Sequence, residues 1–501
     1  MLKKALFTLL AFVLFLLIFE AAARVLEYTL ADTSSEVLEN PGWQAEFFGS
    51  YFDWHESDPD LLWRFKPNLN NPLIKTNSEG LLGGEIPKEK SERTIRILIL
   101  GDSSPVGLGL KSRQYAFDAI LQYLLEMEYL GREKIEILNA AVSGYTSEQI
   151  KYFLALRGWE YEPDIVVLYC GNNDASISGR YTDREILESQ RLKTSRKFLT
   201  HFAFYRLLKN FIISKEVDGS ESPLNLNVRV TPGQFGENLK DIARQCIEHN
   251  CPLVVLKPPV PYLWPAGLQF KLFAHLTGED GRLIFPPAMA EILGRNIKYC
   301  IDQSRFRELY KEGDIFTSAV YKSAYDDSMM PEDAVEYYSV LVEKNKKNFI
   351  LRNNLGVSFW ENEQYREADF ILKTARSLFA SNFGQSDNKA VIAAGSPFLY
   401  NIGINRLSQE GRGVELLYDT HDTAHIYLDS ALQADYFSLR IKDPYLAAID
   451  SLASMEKVTV VDLPSIFRDN GGERLFIDHC HPTIKGHYII AEELVKAIKG
   501  L

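Results

Sequence analysis

Ile95-Arg96-Ile97-Leu98-Ile99-Leu100 is a nearly unbroken apolar run, and it ends at Gly101-Asp102-Ser103-Ser104. A short run of this kind reads as a strand buried on both faces, the strand type of parallel sheets covered by helices. The same pattern recurs at Ile135–Asn139, at Pro163–Cys170, at Leu253–Leu256 and at Val458–Val461. Helical periodicity falls between them, for instance from about Phe235 to His249, and again after the last strand from Gly486 to Ile498. Buried strands alternating with helices predict an α/β fold with a parallel sheet.

Open sheets of this kind bind ligands beyond the carboxyl ends of their strands. The residues at those ends therefore carry the functional reading. The first run delivers Ser103, and Gly101 allows the sharp turn that presents it at the start of a helix, where free N–H groups favour negative charge. The second leads into Ala140-Ala141-Val142-Ser143-Gly144-Tyr145 and the third into Gly171-Asn172-Asn173-Asp174. After the last comes Phe476-Ile477-Asp478-His479-Cys480-His481-Pro482. A serine, a glycine turn, an asparagine and an Asp-x-x-His pair are the parts that acyl transfer needs: nucleophile, oxyanion donors, base and base-orienter.

The order GDSS, Gly144, GNND and DHCH resembles the four blocks of the SGNH (GDSL-type) hydrolase superfamily. The resemblance implies a flavodoxin-like three-layer α/β/α domain. It also implies Ser103 as nucleophile, His481 as general base and Asp478 as its partner. The backbone N–H groups of Ser103 and Gly144 and the side chain of Asn173 would form the oxyanion hole. Asp58 to Asn68 and Thr76-Asn77-Ser78-Glu79-Gly80 look like the lead-in of membrane-anchored bacterial members. There the glycine is commonly followed by an aromatic and an arginine, where Leu81 and Leu82 stand here.

Read from the residues alone, several positions stay open. GDSS is also an ordinary turn and helix cap. His479 competes with His481, and Asn172 with Asn173. Pro482 pushes His481 toward extended backbone, which suits a loop-borne base. Asp102 and Asp174 are expected to brace their loops, and His487 to serve structure or surface. The cysteines are Cys170, Cys246, Cys251, Cys300 and Cys480, an odd set expected to be mostly buried thiols. With no Cys-x-x-Cys and scattered histidines, neither a metal nor a cofactor is expected. A net charge of −12 without a basic stripe argues against nucleic-acid binding.

Lys3-Lys4 precede the uncharged segment Ala5–Phe19. A helix over residues 5–23 is about 28 Å long, close to a bilayer core. The lysines favour an orientation that exports the rest of the chain. A membrane anchor is expected, with a cleaved signal peptide at Ala21-Ala22-Ala23 as the competing reading. Residues 311–432 read as an inserted helical region. The Leu-Gly, Phe, Tyr and Ala spacing around Asn354–Trp360 and Tyr365–Ala368 resembles a tetratricopeptide repeat, with a degenerate second copy from Asn401. The expected organisation is an anchor over 1–30, a loop-rich lead over 31–93 and a hydrolase domain over 94–310, interrupted by the helical subdomain at 311–432 and completed over 433–501. The expected function is that of an exported serine esterase cleaving an acyl, chiefly O-acetyl, group from a carbohydrate or lipid. An envelope O-acetyltransferase, or a helical scaffold with a protein partner and a vestigial site, stand as alternatives.

Overall fold

The computed structural model describes residues 19–24, 54–71, 74–129, 133–179, 181–191, 227–264, 331–385, 392, 395–410, 421–435 and 440–501. The chain divides into two units, residues 1–64 with 184–222, and residues 65–183 with 223–501. In the first, residues 19–24 are helical, and Asp58 Oδ1 accepts the N–H groups of Asp60 and Leu61 to close a tight turn. Among the described residues no helix is long and apolar enough to cross a membrane. The expected anchor, residues 1–30, lies outside the described residues except for 19–24.

The second unit is built on five parallel strands: β1 (Thr94–Gly101), β2 (Lys134–Asn139), β3 (Ile165–Tyr169), β4 (Leu253–Leu256) and β5 (Val458–Val461). They lie in the order β2-β1-β3-β4-β5. That is the flavodoxin-like order, and its switch point falls between β1 and β3. Gly101 at the end of β1 is in register with Tyr169 at the end of β3. A Cβ on Gly101 would stand 2.4 Å from the Tyr169 carbonyl oxygen and 2.6 Å from Pro105, so only glycine lets the chain turn here.

Alternate strand residues face opposite sides, as the pleat requires. Ile97, Ile99, Val167, Val254 and Leu256 form one core with helices α2 (Phe117–Tyr129) and α12 (Ile484–Lys499). Leu98, Leu100, Val166, Leu168 and Val255 are equally buried. Helices α3 (Ser147–Leu156), α4 (Pro232–Glu248) and α10 (Asp443–Asp450) pack together as the other layer. The lead segment is tied to the sheet by the Leu82 N–H, which donates to the Asn139 carbonyl at the end of β2 (2.9 Å). Both Leu81 and Leu82 are buried.

Between β4 and β5 lies a helical region: α5 (Pro331–Lys344), α6 (Phe349–Glu361), α7 (Tyr365–Phe383), α8 (Ser396–Glu410) and α9 (Thr423–Ala434). Helix α6 packs on α7, and α8 on α9. Each pair closes over a glycine: a Cβ on Gly356 would meet Leu372 at 2.6 Å, and one on Gly403 would meet Leu428 at 2.7 Å. These helices share one aromatic-rich core that includes Phe349, Trp360, Phe379 and Phe398.

Candidate active site

The nucleophile candidate is set by β1. After Gly101 the chain enters a single helical turn, α1 (Ser103–Val106), capped by Asp102, whose carboxylate accepts the Ser104 N–H at 3.0 Å. Asn139 at the end of β2 donates to the Pro105 carbonyl at 2.9 Å and to Asp118 at 2.8 Å, which fixes the turn. Arg113 pairs with Asp118 and donates to the Val106 carbonyl. Ser103 is left 9% exposed.

The base candidate arrives on the loop between α11 (Leu463–Asn470) and α12. The loop closes on itself through the Ile477 N–H to His481 carbonyl bond (2.8 Å) and the Thr483 N–H to Leu475 carbonyl bond (2.8 Å). Asp478 Oδ1 accepts the N–H groups of Cys480 and His481, both at 2.9 Å. Its other oxygen lies 2.6 Å from His481 Nδ1, and His481 Nε2 lies 2.8 Å from Ser103 Oγ. Ser103, His481 and Asp478 thus form one hydrogen-bonded chain, buried at every member.

The electrostatics follow from that burial. Desolvation opposes charge on the His481 ring, but the Asp478 charge and hydrogen bond, with the charge of Asp102, more than offset it, so its pKa lies above 6.5. Burial alone would raise Asp478; the two imidazoles and its hydrogen bonds hold it well below the usual carboxylate range. His479 goes the other way: burial drives its pKa down to about 4, so its ring is neutral. It stands off the serine, 3.7 Å from Asp478 and beside the Trp264 ring, 5.6 Å between centroids. Of the two histidines the sequence left open, His481 is the one on Ser103.

Gly144 and Asn173 come from the loops after β2 and β3. Gly144 has φ +80°, the left-handed region that favours glycine. Asn173 Nδ2 donates to the Tyr145 carbonyl at 3.1 Å, which ties the two loops and leaves its second amide hydrogen free of that bond. Asn172 is engaged elsewhere, and its side-chain oxygen accepts the Ile441 N–H at 3.0 Å. Asp174 accepts the N–H (2.9 Å) and hydroxyl (2.5 Å) of Ser147 at the start of α3, and burial raises its pKa to about 7. His487 is fully buried; its Nδ1 accepts the Phe117 N–H at 3.2 Å, a structural use.

Sequence reasoning missed the supports of the rim. The loop after β4, residues 257–264, is gripped at its main chain. Glu473 accepts the Tyr262 and Leu263 N–H groups, Tyr400 donates to the Leu263 carbonyl at 2.7 Å, and Arg440 donates to the carbonyls of Pro261 and Trp264. No local pattern marks such contacts. The thiols of Cys170, Cys246, Cys251 and Cys480 are free and buried. Asp478, His479, Cys480 and His481 also place four metal-capable atoms within 4.8 Å of one another, a cluster the Cys-x-x-Cys criterion overlooks. Asp478 and His481 already spend their ligand atoms on each other.

A buried Ser–His–Asp chain at the switch point of a parallel sheet has the geometry that nucleophilic acyl transfer by a serine requires. Residues 97–271 match the family model of GDSL-like lipases and acylhydrolases. No curated protein matches the chain. Three similar solved structures are a lipase/acylhydrolase from Enterococcus faecalis, the psychrotrophic esterase EstA from Pseudoalteromonas and the acetyl-xylooligosaccharide esterase Axe2 from Geobacillus stearothermophilus. The first is 18% identical, with 33% of this chain and 57% of that one covered, at TM-score 0.20. EstA is 19% identical, with 33% and 61% covered, at TM-score 0.20. Axe2 is 16% identical, with 35% and 63% covered, at TM-score 0.21. The chain spans about three fifths of the length of these structures.

Proposed function

We propose that the chain is an exported esterase that removes a small acyl group, chiefly acetyl, from a carbohydrate or lipid. The observation that carries the chemistry is the Ser103–His481–Asp478 hydrogen-bonded chain. Ser103 Oγ attacks the ester carbonyl while His481 Nε2 takes its proton; Asp478 holds the ring with Nδ1 protonated and stabilises the imidazolium. The negative charge that develops on the carbonyl oxygen is met by the N–H groups of Ser103 and Gly144 and the amide of Asn173. Collapse breaks the bond to the leaving alcohol, which receives the proton from His481. Water then bonds to the acyl carbon through its oxygen while giving a proton to His481; collapse breaks the bond to Ser103 Oγ, which takes that proton back as the carboxylic acid leaves.

The apolar segment Ala5–Phe19 behind Lys3-Lys4 supports export and membrane tethering, which places envelope glycans and lipids within reach. The test is labelling of the full-length protein by a serine-directed fluorophosphonate, together with release of acetate from acetylated sugars. Wild type should label and Ser103→Ala should not; equal labelling of both rejects the serine mechanism. Transfer of acetyl to an added glycan in place of acetate release would convert the reading to a transferase.

A further inference from the structure

We propose that Arg229, with Asp183, is a positioning residue for the oxyanion hole. Arg229 Nη1 donates to the Gly144 carbonyl at 2.7 Å. Its Nη2 and Nε donate to Asp183 Oδ2 at 2.7 and 3.1 Å. The same carboxylate oxygen accepts the Thr146 hydroxyl at 2.9 Å. The guanidinium and its carboxylate therefore grip the Gly144–Thr146 loop at two points, one on each side of Tyr145.

The main chain of Arg229 is fixed to the other donor loop. Its N–H donates to the Ser176 carbonyl at 2.8 Å, the following Val230 N–H donates to the Asp174 carbonyl at 3.1 Å, and the Asp183 N–H returns to the Arg229 carbonyl at 2.8 Å. Asn173 sits in that loop and reaches across to the Tyr145 carbonyl. One residue thus joins the loop that presents the Gly144 N–H to the loop that presents the Asn173 amide. The left-handed φ of Gly144 sets the direction of its two flanking peptides, and the Arg229 bond holds the second of them in place. A planar fork suits this grip, since it can serve a carboxylate and a carbonyl together. Asp183 is 4% exposed and Arg229 15%, so solvent screens the pair weakly.

Charge appears on the carbonyl oxygen only in the transition state, so a displaced donor lowers kcat and leaves KM. The proposal rests on the esterase chemistry of the site; wild-type turnover in the same assay reports on that separately. Arg229→Ala, Arg229→Lys and Asp183→Asn are made in the full chain and normalised by fluorophosphonate titration of competent sites. With p-nitrophenyl acetate, Arg229→Ala should lose about 10- to 100-fold in kcat with KM nearly constant, and Arg229→Lys should recover part. Affinity for a boronic acid, a tetrahedral adduct former, should fall in parallel, while the acid limb of the pH profile stays in place because His481 and Asp478 are untouched. Should Arg229→Ala not fold, Asp183→Asn, which keeps the shape, carries the test with the same kcat-only loss expected. A kcat within about 2-fold of wild type, or a loss confined to KM, overturns the proposal.

Discussion

His481 Nε2 stands 2.8 Å from Ser103 Oγ although 378 positions separate the two residues. The parallel sheet makes the meeting possible. β1 and β3 part at the switch point and leave a crevice beyond their carboxyl ends, and the Asp-x-x-His loop, which follows β5 and α11, closes over that crevice.

In the proposed mechanism the Asp478 carboxylate sets the pH range. Catalysis needs neutral His481, so activity rises with pH through its pKa, which lies above 6.5. Asp478→Asn removes the charge that offsets burial, so the acid limb of kcat/KM should move to lower pH. The maximal rate should fall by about 10³–10⁴ because the ring loses its tautomer. A pH–rate profile of the variant checks both; a limb left in place would remove Asp478 from the mechanism.

Neighbouring asparagines should fail differently. Asn173→Ala is expected to lower kcat by about 10²–10³ with little change in KM, as for loss of an oxyanion donor. Asn172→Ala frees the buried Ile441 N–H and should cost about 1–3 kcal/mol of stability instead. Steady-state kinetics beside thermal unfolding separates the two; a selective kcat loss at Asn172 would exchange their roles.

Asp102 weakens the fold as pH rises. Burial lifts its pKa from 3.8 to about 6, and Oδ2 has no hydrogen-bond partner. Between those values the folded chain keeps a proton that the unfolded chain releases, so this group's contribution falls with rising pH and costs about 3 kcal/mol above the window. The melting temperature of Asp102→Asn relative to wild type should be higher at pH 8 than at pH 4. Calorimetry at both values decides, and an equal difference at the two would rule the ionisation out.

Helix α6 depends on Gly356. In Gly356→Val the side chain would drive into Leu372, which is fully buried, and overpacking of this kind costs about 1–3 kcal/mol. Chemical denaturation should show the loss, with kcat at low temperature preserved. A variant as stable as wild type would mean that the α6–α7 contact yields.

The sheet was legible because buried parallel strands are nearly pure hydrocarbon and little else competes for that pattern. Leu253–Leu256 and Val458–Val461 coincide with their strands, whereas Pro163–Cys170 shortens to Ile165–Tyr169. The four site loops were legible because acyl transfer restricts which side chains can serve at strand ends. The choice of His481 over His479 came from the family resemblance, since by residue type alone both fit a loop-borne base. Arg229, Tyr400, Arg440 and Glu473 escaped notice for another reason: they bind main-chain atoms, which look the same at every position of a sequence.

That last property bears on what a substitution at the rim disturbs. The segment from Pro261 to Trp264 is moored by its peptide groups, so the half-buried Trp264 ring beside His479 can be exchanged without loosening the mooring. If the proposed esterase chemistry holds, a substitution there alters the surroundings of His479 while the Ser103–His481–Asp478 chain keeps its shape.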